Sequence, residues 1–184
     1  MTKILERLGS AIALGVALVI AAMLIFDIKL LTSQIYWSGF FIFLHVLSGI
    51  TWIGLLYYFN LVQIPTMPKI PPELKPAVGK FIAPAALFWF RWAALSTVVT
   101  GLIVFGLFTK VAPTPTIYTG MALGLIMAFN VWFIIWPNQK KALGIVPVND
   151  ETKARAARVA MLTSRLNTVL SLPMLYCMVF QRFG

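Results

Sequence analysis

Residues 41–63 read FIFLHVLSGITWIGLLYYFNLVQ. As a helix rising 1.5 Å per residue, this run is long enough to cross a hydrocarbon layer about 30 Å thick. One ionisable side chain interrupts it, His45, the only histidine in the chain. Ionisable groups inside a membrane are costly and mark function by default. Any imidazole chemistry here must use His45. Reading this run as a membrane helix sets the class of everything around it.

The 184 residues are 60% hydrophobic and 11% charged, with mean hydropathy +0.91. A soluble domain carries roughly 25% charged residues. Five segments have the length and composition of spans, at about 10–31, 36–63, 86–108, 117–136 and 160–181. The expected fold is therefore an all-α integral membrane protein, a single transmembrane domain over 1–184 built as a bundle of about five helices. The first run exceeds a signal-peptide core, and Phe26-Asp27-Ile28 is no small-residue cleavage site, so it reads as a retained helix.

The net charge of +10 does not point to nucleic acid, because the charges are sparse and sit in short connections. Such basic loops orient a membrane protein. With the N-terminus inside, the inner segments hold twelve Lys and Arg residues, and the outer ones only Lys29, Lys110 and Arg182. The expected topology is N-terminus cytoplasmic and C-terminus periplasmic, multi-pass in a bacterial inner membrane, with the lipid bilayer as the first partner. The single cysteine, Cys177, lies inside the last span and reads as a packing residue. There is no disulfide framework and no CxxCH heme-attachment motif.

Between spans, the 64–85 connection holds six prolines, which forbid a continuous helix. Pro76 to Pro84 suits a short amphipathic turn on the inner surface, with Lys80 toward headgroups. The 109–116 stretch, TKVAPTPT, is a short proline-broken loop. In 137–159, Asp150 and Glu151 precede Lys153, Arg155 and Arg158. Acids first and bases later match a helix macrodipole, so this stretch reads as a cytoplasmic extension of the fifth helix. Trp37, Trp89, Trp92 and Trp136 fall near span ends, as in an interfacial aromatic belt.

Two constellations could carry chemistry. On the His45 helix, Ser48, Gly49 and Trp52 share its face. Small residues beside a histidine leave room for a close helix or a flat ligand. The functional reading is a metal ligand, specifically an axial ligand of heme b; the plain one is a histidine bonded to a neighbouring helix. A second axial ligand would have to come from a methionine (Met121, Met127, Met161 and Met174 lie in or beside spans 4 and 5), another subunit or an open position. The second constellation is a set of polar residues at the cytoplasmic ends of spans 2 to 5: Asn60 and Gln63; Arg91; Asn130, Asn138 and Gln139; Ser164, Arg165, Asn167 and Thr168. Two arginines with several amides suit a planar anion, since guanidinium bonds such groups bidentately. The plain reading is mutual pairing, capping and snorkelling to headgroups. No acidic residue sits mid-span, which argues against a carboxylate-based cation transporter or proton pump.

HVLSGITWIGLLYYFNLVQ in span 2, FWFRWAALSTVVTGL in span 3, NVWFIIWPNQKK and SRLNTVLSLPMLYCMV together resemble the membrane domain of bacterial membrane-bound urate hydroxylase, the urate oxidase N-terminal family. The resemblance covers about residues 40–181, and its most specific part is PNQKK followed by the SR-x-N-T-x-L-S-L-P stretch. The His-Trp-Gly pattern of span 2 is less specific, being shared with heme-binding protoporphyrinogen oxidases and copper-resistance membrane proteins. The resemblance implies a periplasmic cytochrome c accepting electrons from urate oxidation, with this chain a short form lacking that domain. It also implies histidine at two positions that are leucine here, Leu166 and a site near Leu125, so the redox chemistry is in doubt while the scaffold is kept.

The expectation is a subunit or binding module of a membrane redox system, with Asn60, Arg91, Asn138, Gln139, Arg165 and Asn167 forming an anion site and His45 a heme or metal site. The partners expected are a cytochrome c or other redox subunits, with a homo-oligomer as a further possibility. A free-standing urate hydroxylase with a separate cytochrome c, and a cofactor-free carrier or structural subunit, are the alternatives.

Overall fold

The computed structural model describes residues 2–107 and 114–180. Lys110, Arg182, most of the 109–116 loop and the expected span ends at 108 and 181 lie outside the described residues. Within them the chain is helical, without a strand. Five helices are long: α1 Leu8–Phe26, α2 Gln34–Tyr57, α3 Ala83–Leu107, α4 Pro115–Phe129 and α5 Asp150–Phe180.

Four helical stretches are long and apolar enough to cross a membrane: Leu8–Phe26, Gln34–Lys69, Lys75–Leu107 and Pro115–Ala142. They match the first four expected spans, so the chain has the make-up of a membrane protein. α5 is longer than any other helix but carries Arg165, Asn167 and several hydroxyl residues in its apolar half.

The chain divides into two compact units, 1–40 and 41–184. In the first, α1 buries no residue. It is followed by a 3₁₀ turn, Ile28–Leu30, and the start of α2. There the Trp37 indole N–H donates to the Leu31 carbonyl at 2.8 Å, and the ring meets Phe40 edge-on.

In the second unit, α5 packs along α4, the stretch 130–142 and residues 58–63. The core is formed by Trp52, Leu56, Phe59, Leu87, Phe90, Met127, Val131 and Ile135. Phe59 and Phe90 meet edge to face, with centroids 5.5 Å apart, a favoured ring geometry. Polar residues on α5 turn inward and join the helices. Asn130 donates to the Asn167 side-chain oxygen at 2.8 Å, and Asn167 donates to the Met127 carbonyl at 3.0 Å. Tyr57 bonds Ser171 at 2.9 Å. With lipid as apolar as the core, such packing and interhelical bonds drive association.

As expected, 64–85 is not one continuous helix, but the interruption is short. Helical backbone runs past Gln63 to Lys69 through Pro65 and Pro68, and resumes at Lys75. The break is confined to 70–74, around Pro71-Pro72. The backbone accommodates three of the prolines by widening ahead of them into π-helix, at Tyr58–Gln63, Val78–Ile82 and Asn130–Ile135. Residues 76–84, the expected amphipathic turn, are helical with Lys80 exposed. The helix Trp136–Ala142 ends through Gly144, whose φ of 75° suits glycine. Gly144 N–H then reaches the Lys141 carbonyl at 3.1 Å.

The expected extension of the fifth helix is present as the first turns of α5, with Asp150 and Glu151 leading. The Asn149 side chain accepts from Thr152 N–H at 2.8 Å, a helix cap.

Candidate functional site

Two polar centres lie in the second unit. At the level of His45, α2 and α3 come together through small and hydroxyl residues. His45 Nδ1 lies 2.9 Å from the Thr97 carbonyl oxygen and 3.4 Å from Thr100 Oγ1. A carbonyl oxygen only accepts, so the ring donates from Nδ1 and carries its lone pair at Nε2. The ring rests on Gly101: a Cβ there would lie 2.9 Å from His45 Cε1. Ser48 and Ser96 bond each other at 2.9 Å along the same seam. Trp52, expected to share the His45 face, is fully buried in the core.

Nε2 of His45 would be the one imidazole nitrogen free to hold a metal or heme iron, with its tautomer fixed by the Thr97 carbonyl. Met127 and Met174 belong to the core around Trp52. Among the described residues, no three His, Cys, Asp or Glu side chains gather as a metal site.

The second centre lies at the other end of α2, where the wide π turns are. Arg91 of α3 lays its guanidinium over the Trp136 indole, Cζ 3.4 Å from the ring centroid, and Lys140 Nζ stands 5.5 Å from the same ring. A half-exposed cation–π stack of this kind contributes about 1 kcal/mol. Asn60 donates to its own Leu56 carbonyl at 2.9 Å and to Ser164 Oγ at 2.8 Å. Asn138 donates to the Ile134 carbonyl at 2.8 Å. Four buried atoms at this end have no hydrogen-bond partner among the described residues: Asn60 Oδ1, Gln63 Oε1, Arg91 Nε and Gln139 Oε1. Two further buried donors without a partner are the indole N–H groups of Trp52 and Trp132. Each such atom costs about 1–3 kcal/mol. These are therefore the atoms at which a ligand or water gains most by binding.

The sequence-derived residues therefore separate. Asn60, Arg91, Asn138 and Gln139 fall at this end. Asn167 is fully buried and both ends of its amide are engaged by Asn130 and Met127, so it joins helices. Arg165 is exposed beside Leu162, Leu166 and Val169, on the outward face of α5, away from buried Ser164 and Asn167. Leu125 and Leu166 are also exposed. Trp136 reads from the sequence only as a belt residue. Its role under Arg91 depends on α3 meeting 130–142, which spacing along the chain does not encode. Gln63 was legible as part of the polar set, but not as a residue holding a free acceptor.

Fold and sites define a helical membrane protein with a half-buried polar cluster that includes an arginine stacked on an indole. Residues 109–184, less than half of the chain, match the family model described as urate oxidase N-terminal. The match takes in NVWFIIWPNQKK and the SRLNT stretch, and stops short of the motifs in α2 and α3. No curated protein and no solved structure matches the chain.

Proposed function

We propose that this protein is a binding module of a bacterial inner-membrane redox system, on the urate oxidase N-terminal scaffold, with five crossings and the Arg91 end cytoplasmic. Its ligand is a planar, nitrogen-rich anion of the urate type. The observation that carries this is the set of partnerless buried atoms on Asn60, Gln63, Arg91 and Gln139, at the end of the helices that holds the Arg91–Trp136 stack. Three are amide oxygens, which need N–H donors, and one is a guanidinium N–H, which needs an acceptor. A carboxylate or phosphate offers acceptors alone, whereas an oxopurine anion offers both. The flat stack adds a surface for a flat ring.

Thermal unfolding in mild detergent tests the reading. A ligand at a hundred times its Kd stabilises by about 2.7 kcal/mol. Urate is expected to raise the Tm of the wild type and to leave Arg91→Leu and Gln139→Leu unmoved. Equal shifts in wild type and variants, or none in the wild type, would sink it. The Arg165→Leu variant is expected to keep the full urate shift.

A second reading, heme b at His45 with electrons passed to a separate cytochrome c, is favoured by the Nδ1–Thr97 bond that leaves Nε2 as a lone-pair donor. Heme would supply one-electron transfer. A b-type band in the dithionite-reduced spectrum, lost in His45→Ala with insertion unchanged, supports it. A flat spectrum from folded protein rejects it.

A further inference from the structure

The Arg91 end shows a regularity that ligand chemistry alone does not explain. Three segments there are π-helical, and in each the second residue beyond the segment is proline: Pro65 after Tyr58–Gln63, Pro84 after Val78–Ile82, Pro137 after Asn130–Ile135. π turns are rare, well under 1% of residues, and recur at functional sites. The local cause is clear. Proline has no N–H and its ring crowds the carbonyl four residues earlier. A wider turn hands that carbonyl to the N–H one residue further on.

Four of the six partnerless atoms fall on or beside these turns. Asn60 and Gln63 lie within the first and Trp132 within the third, while Gln139 follows Pro137 by two residues. All of these atoms are shut off from solvent. A one-residue register change turns every side chain beyond it by about 100°. In these two segments, that rotation swings Gln63 and Gln139 relative to the core.

We propose that the proline-linked π turns at 58–63 and 130–135 are the moving parts of a gate, closed in the π register and opened by return to the α register, which controls access to the polar centre. The inference rests on the binding reading for what passes the gate, and on the turns and sealed atoms for the gate itself.

The test needs no ligand. With Cys177→Ser as background, Gln63→Cys serves as a reporter for a water-soluble thiol reagent. Modification is expected to be slow with Pro65 present, and about tenfold faster in Pro65→Ala, where nothing opposes the α register, as for an opening equilibrium shifted toward the open state. Equal rates overturn the gate. Amide hydrogen exchange in the wild type is the second measurement, independent of any variant's folding. Residues 58–63 and 130–135 are expected to exchange faster than the α-helical flanks 50–56 and 120–128. Uniform exchange overturns the gate as well. Added urate separates the two ideas: if it changes neither exchange nor Tm while the ligand-free results hold, the binding reading fails and the gate stands.

Discussion

His45 is held by backbone more than by side chains. Its partner is the Thr97 carbonyl, and the space for its ring exists because residue 101 has no Cβ. In Gly101→Ala the new methyl would sit 2.9 Å from Cε1 and 3.1 Å from Nδ1, so the ring must leave its bond or α2 must move off α3. Overpacking of this kind costs about 1–3 kcal/mol. A lowered Tm is expected, with Gly106→Ala, which meets nothing within 4 Å, as the unaffected control. An unchanged Gly101→Ala protein would mean that the seam is loosely packed. At Arg91 the geometry separates shape from charge. Lysine keeps the charge but not the planar stack on Trp136, so Arg91→Lys is expected to bind urate more weakly than wild type by about fivefold, the loss of one such stack. Equal affinity would show that charge alone is read there.

Among the elements, α5 depends on its polar inner face. Asn167 joins it to α4 by accepting from Asn130 and donating to Met127. Asn167→Leu would strand the Asn130 amide in the core, a loss of about 1–3 kcal/mol. Asn130→Leu with Asn167→Leu removes both partners and is expected to recover part of it, read as Tm in a double-mutant cycle. Additive losses would show that the two amides act separately. This inner face also explains what the sequence could and could not convey. Four spans were legible because their apolar runs are long, and the acid-first start of α5 was legible from charge order. The prolines conveyed that 64–85 is not one helix but not where it breaks, because a proline's local cost can be relieved by a π turn that no residue pattern announces. Asn167 and Arg165 looked alike as polar residues two apart in one span. On a helix that is a rotation of about 200°, and only packing against α4 decides which of the two faces inward. The stack of Arg91 on Trp136 joins residues 45 positions apart in the sequence, so it was beyond any local pattern.

Over the whole molecule, the open quantity is the number of crossings, because it sets which side the chain reaches after α5. Averaged composition counts against α5, since Arg165, Asn167 and the hydroxyl residues lower its hydropathy. Its two faces tell a different story. Ser164, Asn167 and Ser171 are buried against protein, while Leu162, Leu166, Val169, Leu172, Tyr176 and Val179 are exposed. A membrane helix needs apolar residues only where lipid touches it, and polar groups facing its neighbours are satisfied there. Arg165 is the exception on the outer side, and its long stem can carry the charge to the headgroups. This two-faced pattern supports the proposed fifth crossing, which would put the basic connections on one side. Single cysteines in the Cys177→Ser background test this with a membrane-impermeant maleimide on intact cells whose outer membrane has been opened. Lys29→Cys and Phe180→Cys are expected to label directly, and Thr2→Cys and Lys153→Cys only after the inner membrane is permeabilised. If Phe180→Cys behaves like Lys153→Cys, α5 does not cross, and its leucine stripe must lie along the membrane surface or against another chain.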